Sequence, residues 1–248
     1  MRRSLLLAAA CAIISVQAAS AADMPTKAPA YAPVAMYNWT GFYLGGEIGG
    51  GWSSSQVTNV VGTAAFPAGF VSNGINGSGV LGGGYAGFNY QINQIVLGID
   101  GDYSWTGLKG SETSIGPTGF TSNVTSKTNW LATVTGRLGY AVNNWLFFGK
   151  AGWAWAGTSG TSSTFNVGGI NVSNGTSSST KDGWTIGTGV EWGIARNLSA
   201  KLEYDYVKFD TDNFNNVETS VPGGVVTSLA RSATSSLNIV KLGLAYRF

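Results

Sequence analysis

The last nine residues of the chain alternate without a break. Val240, Leu242, Leu244, Tyr246 and Phe248 fall on one face of an extended segment, and Lys241, Gly243, Ala245 and Arg247 fall on the other. Successive strand side chains point to opposite faces, so this segment separates two very different environments. Seven further stretches, at 40–52, 80–91, 95–105, 129–141, 145–156, 183–195 and 198–209, carry the same period of two. Each is about the ~10-residue length of a tilted membrane strand. The segment ends on aromatics, with Tyr246 and the terminal Phe248 both on the apolar face.

The connections between the stretches alternate in size. Those at 92–94, 142–144 and 196–197 are tight and rich in Asn, whereas 53–79, 106–128, 157–182 and 210–236 are long and rich in Gly, Ser, Thr and Asn. Short turns at one rim and long loops at the other describe an up-and-down barrel of the outer membrane, with the short turns periplasmic. The predicted fold is therefore all-β: an eight-stranded antiparallel transmembrane barrel with four long extracellular loops.

Period alone does not say which face points outward, because a soluble ligand-binding barrel has the same alternation with its apolar face inside. Three features favour lipid outside. The polar face is mostly Gly, Ala, Thr and Ser, with far fewer charges than a solvated surface carries. Aromatics gather at both strand ends of the apolar face: Trp52, Trp105, Trp130, Trp155 and Trp184 toward the long loops, and Tyr90, Tyr140, Trp145, Tyr246 and Phe248 toward the short turns. Two such belts are the interfacial girdles of a membrane barrel. Finally, an eight-stranded barrel is just wide enough for side chains to fill, which suits small inward residues.

This orientation gives the charges an address. Glu47, Asp100, Asp102, Glu191, Glu203 and Asp205 share the interior with Arg137, Lys150, Lys201, Lys241 and Arg247. Buried charges persist when paired, so the expectation is a salt-bridge network that plugs the barrel. The alternative is a narrow water path whose charges set ion selectivity. Asp100, Asp102 and Asp205 could also suggest a Ca2+ site, but lysines and arginines on the same face favour internal pairing, and no metal or cofactor is expected.

The N-terminus and composition bound the compartment and chemistry. Arg2 and Arg3, the apolar run 5–16 and Ala19-Ser20-Ala21 form a secretory signal peptide expected at 1–22. Prolines 25, 29 and 33 mark 23–38 as an extended periplasmic leader, with the barrel expected at 39–248. Removing the signal takes Lys and Arg from 14 to 12, equal to the 12 acids, so nothing suggests nucleic acid as a partner. Only 10% of residues are charged against 37 glycines and 9 tryptophans, odd for a soluble domain and ordinary for a lipid-facing barrel. With no His and its one Cys (Cys11) in the signal, the chain lacks an ordinary base for a serine nucleophile and any imidazole or thiolate metal site. It does not read as an enzyme; a lipid-modifying outer-membrane enzyme is the least supported alternative.

The segments Asn38-Trp39-Thr40-Gly41-Phe42-Tyr43-Leu44-Gly45-Gly46, Asn144-Trp145-Leu146-Phe147-Phe148-Gly149-Lys150-Ala151-Gly152 and Lys241-Leu242-Gly243-Leu244-Ala245-Tyr246-Arg247-Phe248, with Asp23-Met24-Pro25 in the leader, resemble the alphaproteobacterial outer-membrane surface-antigen family of small OmpA-like "porin family" barrels. The resemblance covers essentially the whole mature chain, and its motifs are structural. It implies insertion by the barrel-assembly machinery, which would read Val240, Leu242, Leu244, Tyr246 and Phe248, after the export by the general secretory route that the signal peptide predicts. It further implies a role in envelope integrity or host-facing exposure; outer-membrane lipid and lipopolysaccharide are the expected partners, and a monomer is expected. The runner-up function is a small porin-like channel.

Overall fold

The computed structural model of the chain describes residues 37–59, 71–115, 121–165, 171–220 and 225–248. The expected signal peptide and the leader up to residue 36 lie outside them. The strands are β1 (Gly41–Asn59), β2 (Val71–Asn73), β3 (Gly77–Ile92), β4 (Ile95–Ile115), β5 (Thr121–Val142), β6 (Trp145–Phe165), β7 (Asn171–Ala195), β8 (Leu198–Phe209), β9 (Asp212–Ser220) and β10 (Val225–Arg247). All pairings are antiparallel. Eight strands form a ring that closes where β1 meets β10, from Tyr43↔Arg247 to Asn59↔Arg231. The short β2 and β9 fold back on the far ends of β1 and β10. Among the described residues there is no helix.

Register fixes the barrel's dimensions. Following paired residues around the ring from Tyr43 through Gly87, Asp100, Thr135, Gly152, Thr185, Val207 and Leu237 returns to β1 at Ser53, ten residues beyond the start. A stagger of ten over eight strands tilts them by about 40°. Trp130 and Tyr140 on β5, like Trp145 and Trp155 on β6, stand ten residues apart. At that tilt they span about 25 Å, the height of the apolar band of an outer-membrane barrel.

The faces sort as the alternation requires. Along the last eight residues burial switches at every position, with Lys241, Gly243, Ala245 and Arg247 in and Leu242, Leu244, Tyr246 and Phe248 out. Eight of the nine tryptophans stand on the outer wall; Trp39 alone is inside. At the short-turn rim Trp145 stacks on Trp192 (5.8 Å) and Tyr246 meets Phe248 edge-on (5.2 Å). At the opposite rim Tyr103 packs against both Trp105 and Trp130.

The tight turns are two residues each: Asn93-Gln94, Asn143-Asn144 and Arg196-Asn197. Asn93 and Asn143 take positive φ values of 55° and 53°, a conformation Asn tolerates better than most residues. The long connections differ from the expected loops. β4 and β5 continue as one paired hairpin out to Ile115↔Thr121, and β6 and β7 out to Phe165↔Asn171. Ser and Thr in these segments extend the ladders, because Thr favours strands and each continued pair satisfies two strands' backbone groups.

Leu242 sits on the outer wall between Ile48 and Leu202, within the apolar band. Leu242→Arg is expected to cost about 2–4 kcal/mol of folding free energy in lipid vesicles. Ser54→Arg, one outward position beyond Trp52, is expected to be nearly neutral. Urea titrations of the refolded proteins compare the two, and equal midpoints would place the lipid face elsewhere.

Candidate functional site in the barrel interior

Inward side chains fill the ring in three layers. Toward the long hairpins, Leu81, Leu108, Leu131, Ala154, Ala156, Val207, Phe209, Leu237 and Ile239 pack as an apolar layer. At the short-turn end, Tyr37, Trp39, Val96, Ala141, Leu146 and Phe148 form a second one. All eleven charged residues assigned to the interior from sequence are buried; they lie on the short-turn side of the first layer and reach into the second, where Arg137 covers Phe148 and Arg247 meets Trp39.

The charges form two groups. In the first, the Lys241 ammonium from β10 reaches Asp102 (2.7 Å), Asp205 (2.9 Å), Glu203 (3.0 Å) and Glu47 (3.3 Å). Lys150 reaches Glu203 (2.7 Å) and Asp205 (3.3 Å), and Lys201 reaches Glu47 (3.0 Å) and Glu203 (3.3 Å). Ser104 donates to Glu47 and Thr133 to Asp102. In the second, Glu191 holds Arg137 (2.5 Å) and Arg247 (3.4 Å) and accepts from Ser199 (2.6 Å). Asp100 stands apart and accepts the Tyr43 hydroxyl at 2.7 Å. Aromatic faces carry the rest: Arg137 lies 3.6 Å over Phe148, and Lys201 lies 3.5 Å over Tyr85.

Glycine makes room for these contacts. A Cβ on Gly187 would run into the Asp205 carboxylate and come 3.1 Å from Cε of Lys150. Gly193 faces the Tyr37 ring in the same way.

Carboxylate oxygens of Glu47, Asp102 and Glu203 come within 4.8 Å of one another, the spacing a metal ion needs. Lys241 Nζ stands among all three and supplies the positive charge there. The Asp100, Asp102, Asp205 set does not converge as a cation site: Asp102 and Asp205 both turn to Lys241, and Asp100 to Tyr43.

Two features escaped the sequence reading. The first is the pair of apolar layers. The second is the segment before β1, where Tyr37 and Trp39 enter the short-turn mouth with ring centroids 4.4 Å apart. The Trp39 amide donates to Gln91, its carbonyl accepts from Arg247 (2.5 Å), and the Arg247 guanidinium lies 5.2 Å from its ring. Strand parity was the available signal, since Trp39, Gly41 and Tyr43 share the inner row. Of the aromatic belts, Trp52, Trp105, Trp155, Trp184, Tyr90, Tyr140, Trp145 and Tyr246 are exposed on the outer wall, and Trp130 is half-buried beside them against Tyr103.

The family model for the outer membrane protein beta-barrel domain matches residues 5–248. The 31 kDa outer-membrane immunogenic protein of Brucella melitensis biotype 1 is 30% identical over 254 residues, covering 99% of this chain and 100% of that protein. The 22 kDa outer membrane protein of Rhizobium leguminosarum bv. viciae is 31% identical over 213 residues, covering 85% of this chain and 79% of that one. Among solved structures, the outer membrane protein OprG from Pseudomonas aeruginosa aligns with a TM-score of 0.50 at 11% identity, covering 86% of this chain and 98% of that chain. The last likeness is one of fold.

Removing one member of a buried ion network strands its partners. Lys241→Met is expected to lower stability in vesicles by about 3–5 kcal/mol. Adding Asp102→Asn to that variant is expected to recover part of the loss, because the two groups are coupled at 2.7 Å. Urea midpoints of the single and double variants test this, and strictly additive losses would mean the pair is not coupled.

Proposed function

This chain belongs to the outer membrane protein beta-barrel family, and we propose that it works from its outer surface, as a closed, non-conducting and non-catalytic barrel. The outer membrane of a Gram-negative bacterium is its location. On this reading it contributes to envelope integrity and presents its long hairpins to the host or environment. The observation that carries the proposal is the filled lumen: an apolar layer, a paired charge layer and a second, mostly apolar layer that two arginines enter follow one another across it. A water path would have to cross both apolar layers, which charge selectivity does not require and dewetting opposes.

The names of the relatives, outer-membrane immunogenic proteins, support surface exposure of the long-hairpin rim. A catalytic role has little to work with, since the sequence has no His and its buried carboxylates are engaged with lysines and arginines or with Tyr43. The partners proposed are outer-membrane lipid, including lipopolysaccharide, along the belted wall, and the barrel-assembly machinery during insertion. The protein is proposed to act as a monomer. The assembly signal is the outer row Val240, Leu242, Leu244, Tyr246 and Phe248, which stands exposed on the last strand. Replacing Phe248 with Asp is expected to reduce the folded fraction in outer-membrane preparations severalfold.

Planar-bilayer recording of the purified protein tests closure. No stable unitary conductance is expected from the wild type. Tyr37→Ala/Trp39→Ala, which empties much of the short-turn layer, is expected to raise the frequency of transient openings. Reproducible unitary currents from the wild type would overturn the closed reading in favour of a small channel, and unchanged antibiotic and detergent sensitivity in a deletion strain would remove the envelope role.

A further inference from the structure

The most unusual charges on the outer wall are Lys109 on β4 and Lys127 on β5. They are directly paired across the two strands, and both are exposed. Directly opposite side chains have Cβ atoms about 4.5–5.5 Å apart, and like charges there repel. Within 106–128 the sole acid is Glu112, and three residues along β4 from Lys109 it lies on the opposite face.

The backbone brings this pair together. The register shifts between Trp130 and Thr128 on β5. Strict alternation would aim Lys127 inward with Leu131; the irregularity turns β5 over and sets Lys127 outward, opposite Lys109. Bulges of this kind re-aim side chains and recur next to functional sites. The irregular residue, Asn129, donates to the Ser159 hydroxyl at 3.1 Å.

The lysines sit in a row that crosses five strands, Ser78, Lys109, Lys127, Ser159 and Ser178, each paired with the next. The row contains hydroxyls and ammonium groups and no acid. About 10 Å closer to the short turns along the strands stands the Trp105↔Trp130 pair of the aromatic belt. At the ~40° tilt a row of paired residues climbs about 3 Å per strand, so the two lysines lie at headgroup depth, just above hydrocarbon, with Ser159 and Ser178 farther out.

We propose that Lys109 and Lys127 bind a phosphate of an outer-leaflet glycolipid, with the serines of the row and Asn129 meeting its sugar hydroxyls and the Trp105–Trp130 pair meeting its acyl chains. A phosphate between two converging ammonium groups turns their repulsion into attraction from both sides. Of the anions available at that depth, a phosphorylated glycolipid alone has phosphate, sugar and acyl groups in the order of this wall. The assignment rests on the surface reading above, because it needs the long-hairpin rim to face outward.

The test compares the purified full-length protein with Lys109→Gln/Lys127→Gln, using lipopolysaccharide before and after enzymatic removal of its phosphates. The wild type is expected to bind the phosphorylated form roughly tenfold or more tightly than the dephosphorylated one. The double variant is expected to lose that preference while keeping its residual binding and its urea midpoint. Lys208→Gln, an exposed lysine on β8 outside the row, is expected to behave as wild type. A preference that survives in the double variant, or one lost equally in Lys208→Gln, would overturn the site. Equal binding to phosphatidylglycerol vesicles would overturn the glycolipid assignment. Ser111→Cys, labelled on intact cells with a membrane-impermeant maleimide, separates the two levels. Absent labelling overturns the surface reading and this proposal together, whereas labelling with a surviving phosphate preference overturns only the latter.

Discussion

Everything in this molecule depends on the seam where β1 meets β10. Hydrocarbon offers no partner to a free backbone amide or carbonyl, so a membrane sheet has to close on itself. Here closure runs from Tyr43↔Arg247 to Asn59↔Arg231 and is finished by the Phe248 amide donating to the Phe42 carbonyl. The ten-residue stagger around the ring then sets the tilt, the lumen width and the neighbours of each inward side chain. Outer belts and inner layers are both consequences of that one closure.

The interior charges reinforce the seam. Lys241, on the last strand, contacts Glu47 across the seam on β1, Asp102 on β4, and Glu203 and Asp205 on β8. Arg247 joins Glu191 on β7 to the backbone of Trp39 just ahead of β1. Buried ion pairs contribute modestly to net stability against an apolar core of the same shape. They discriminate strongly against a wrong register, since a one-residue slip of β10 would turn Lys241 and Arg247 into lipid and Leu242 and Tyr246 into the charge layer. Placing both cations on the closing strand puts that discrimination where closure is decided.

What the sequence made legible was whatever alternates between unlike environments. Lys241 flanked by Val240 and Leu242, or Glu203 by Leu202 and Tyr204, can face only one way, so the charge layer and the lipid face emerged together. The apolar layers are hidden because their contrast vanishes. Ile239 beside Val240, Phe148 beside Phe147 and Leu131 beside Trp130 are apolar on both faces, and period two carries no signal there. The hairpin extensions were hidden for the opposite reason: with water on both sides, runs such as Thr121 to Thr128 need no alternation to remain strands. Lys127 was hidden by the irregularity in β5, which reverses parity at a point that composition does not mark.

These limits follow a division of labour between the two ends of each strand. Between the belts, lipid outside and close packing inside dictate nearly every side chain, down to Gly187, where a single Cβ would displace the Asp205 carboxylate. Beyond the long-hairpin belt neither constraint applies, and ladder pairing alone carries the fold. Charges placed there are therefore free of any structural demand, and the hairpins that hold them are ordered strands instead of loose loops. A lysine couple in that zone with no ion partner among the described residues works against the local electrostatics without helping the fold. Its explanation has to come from something outside the chain, and the headgroup layer at the same depth is the environment that meets it.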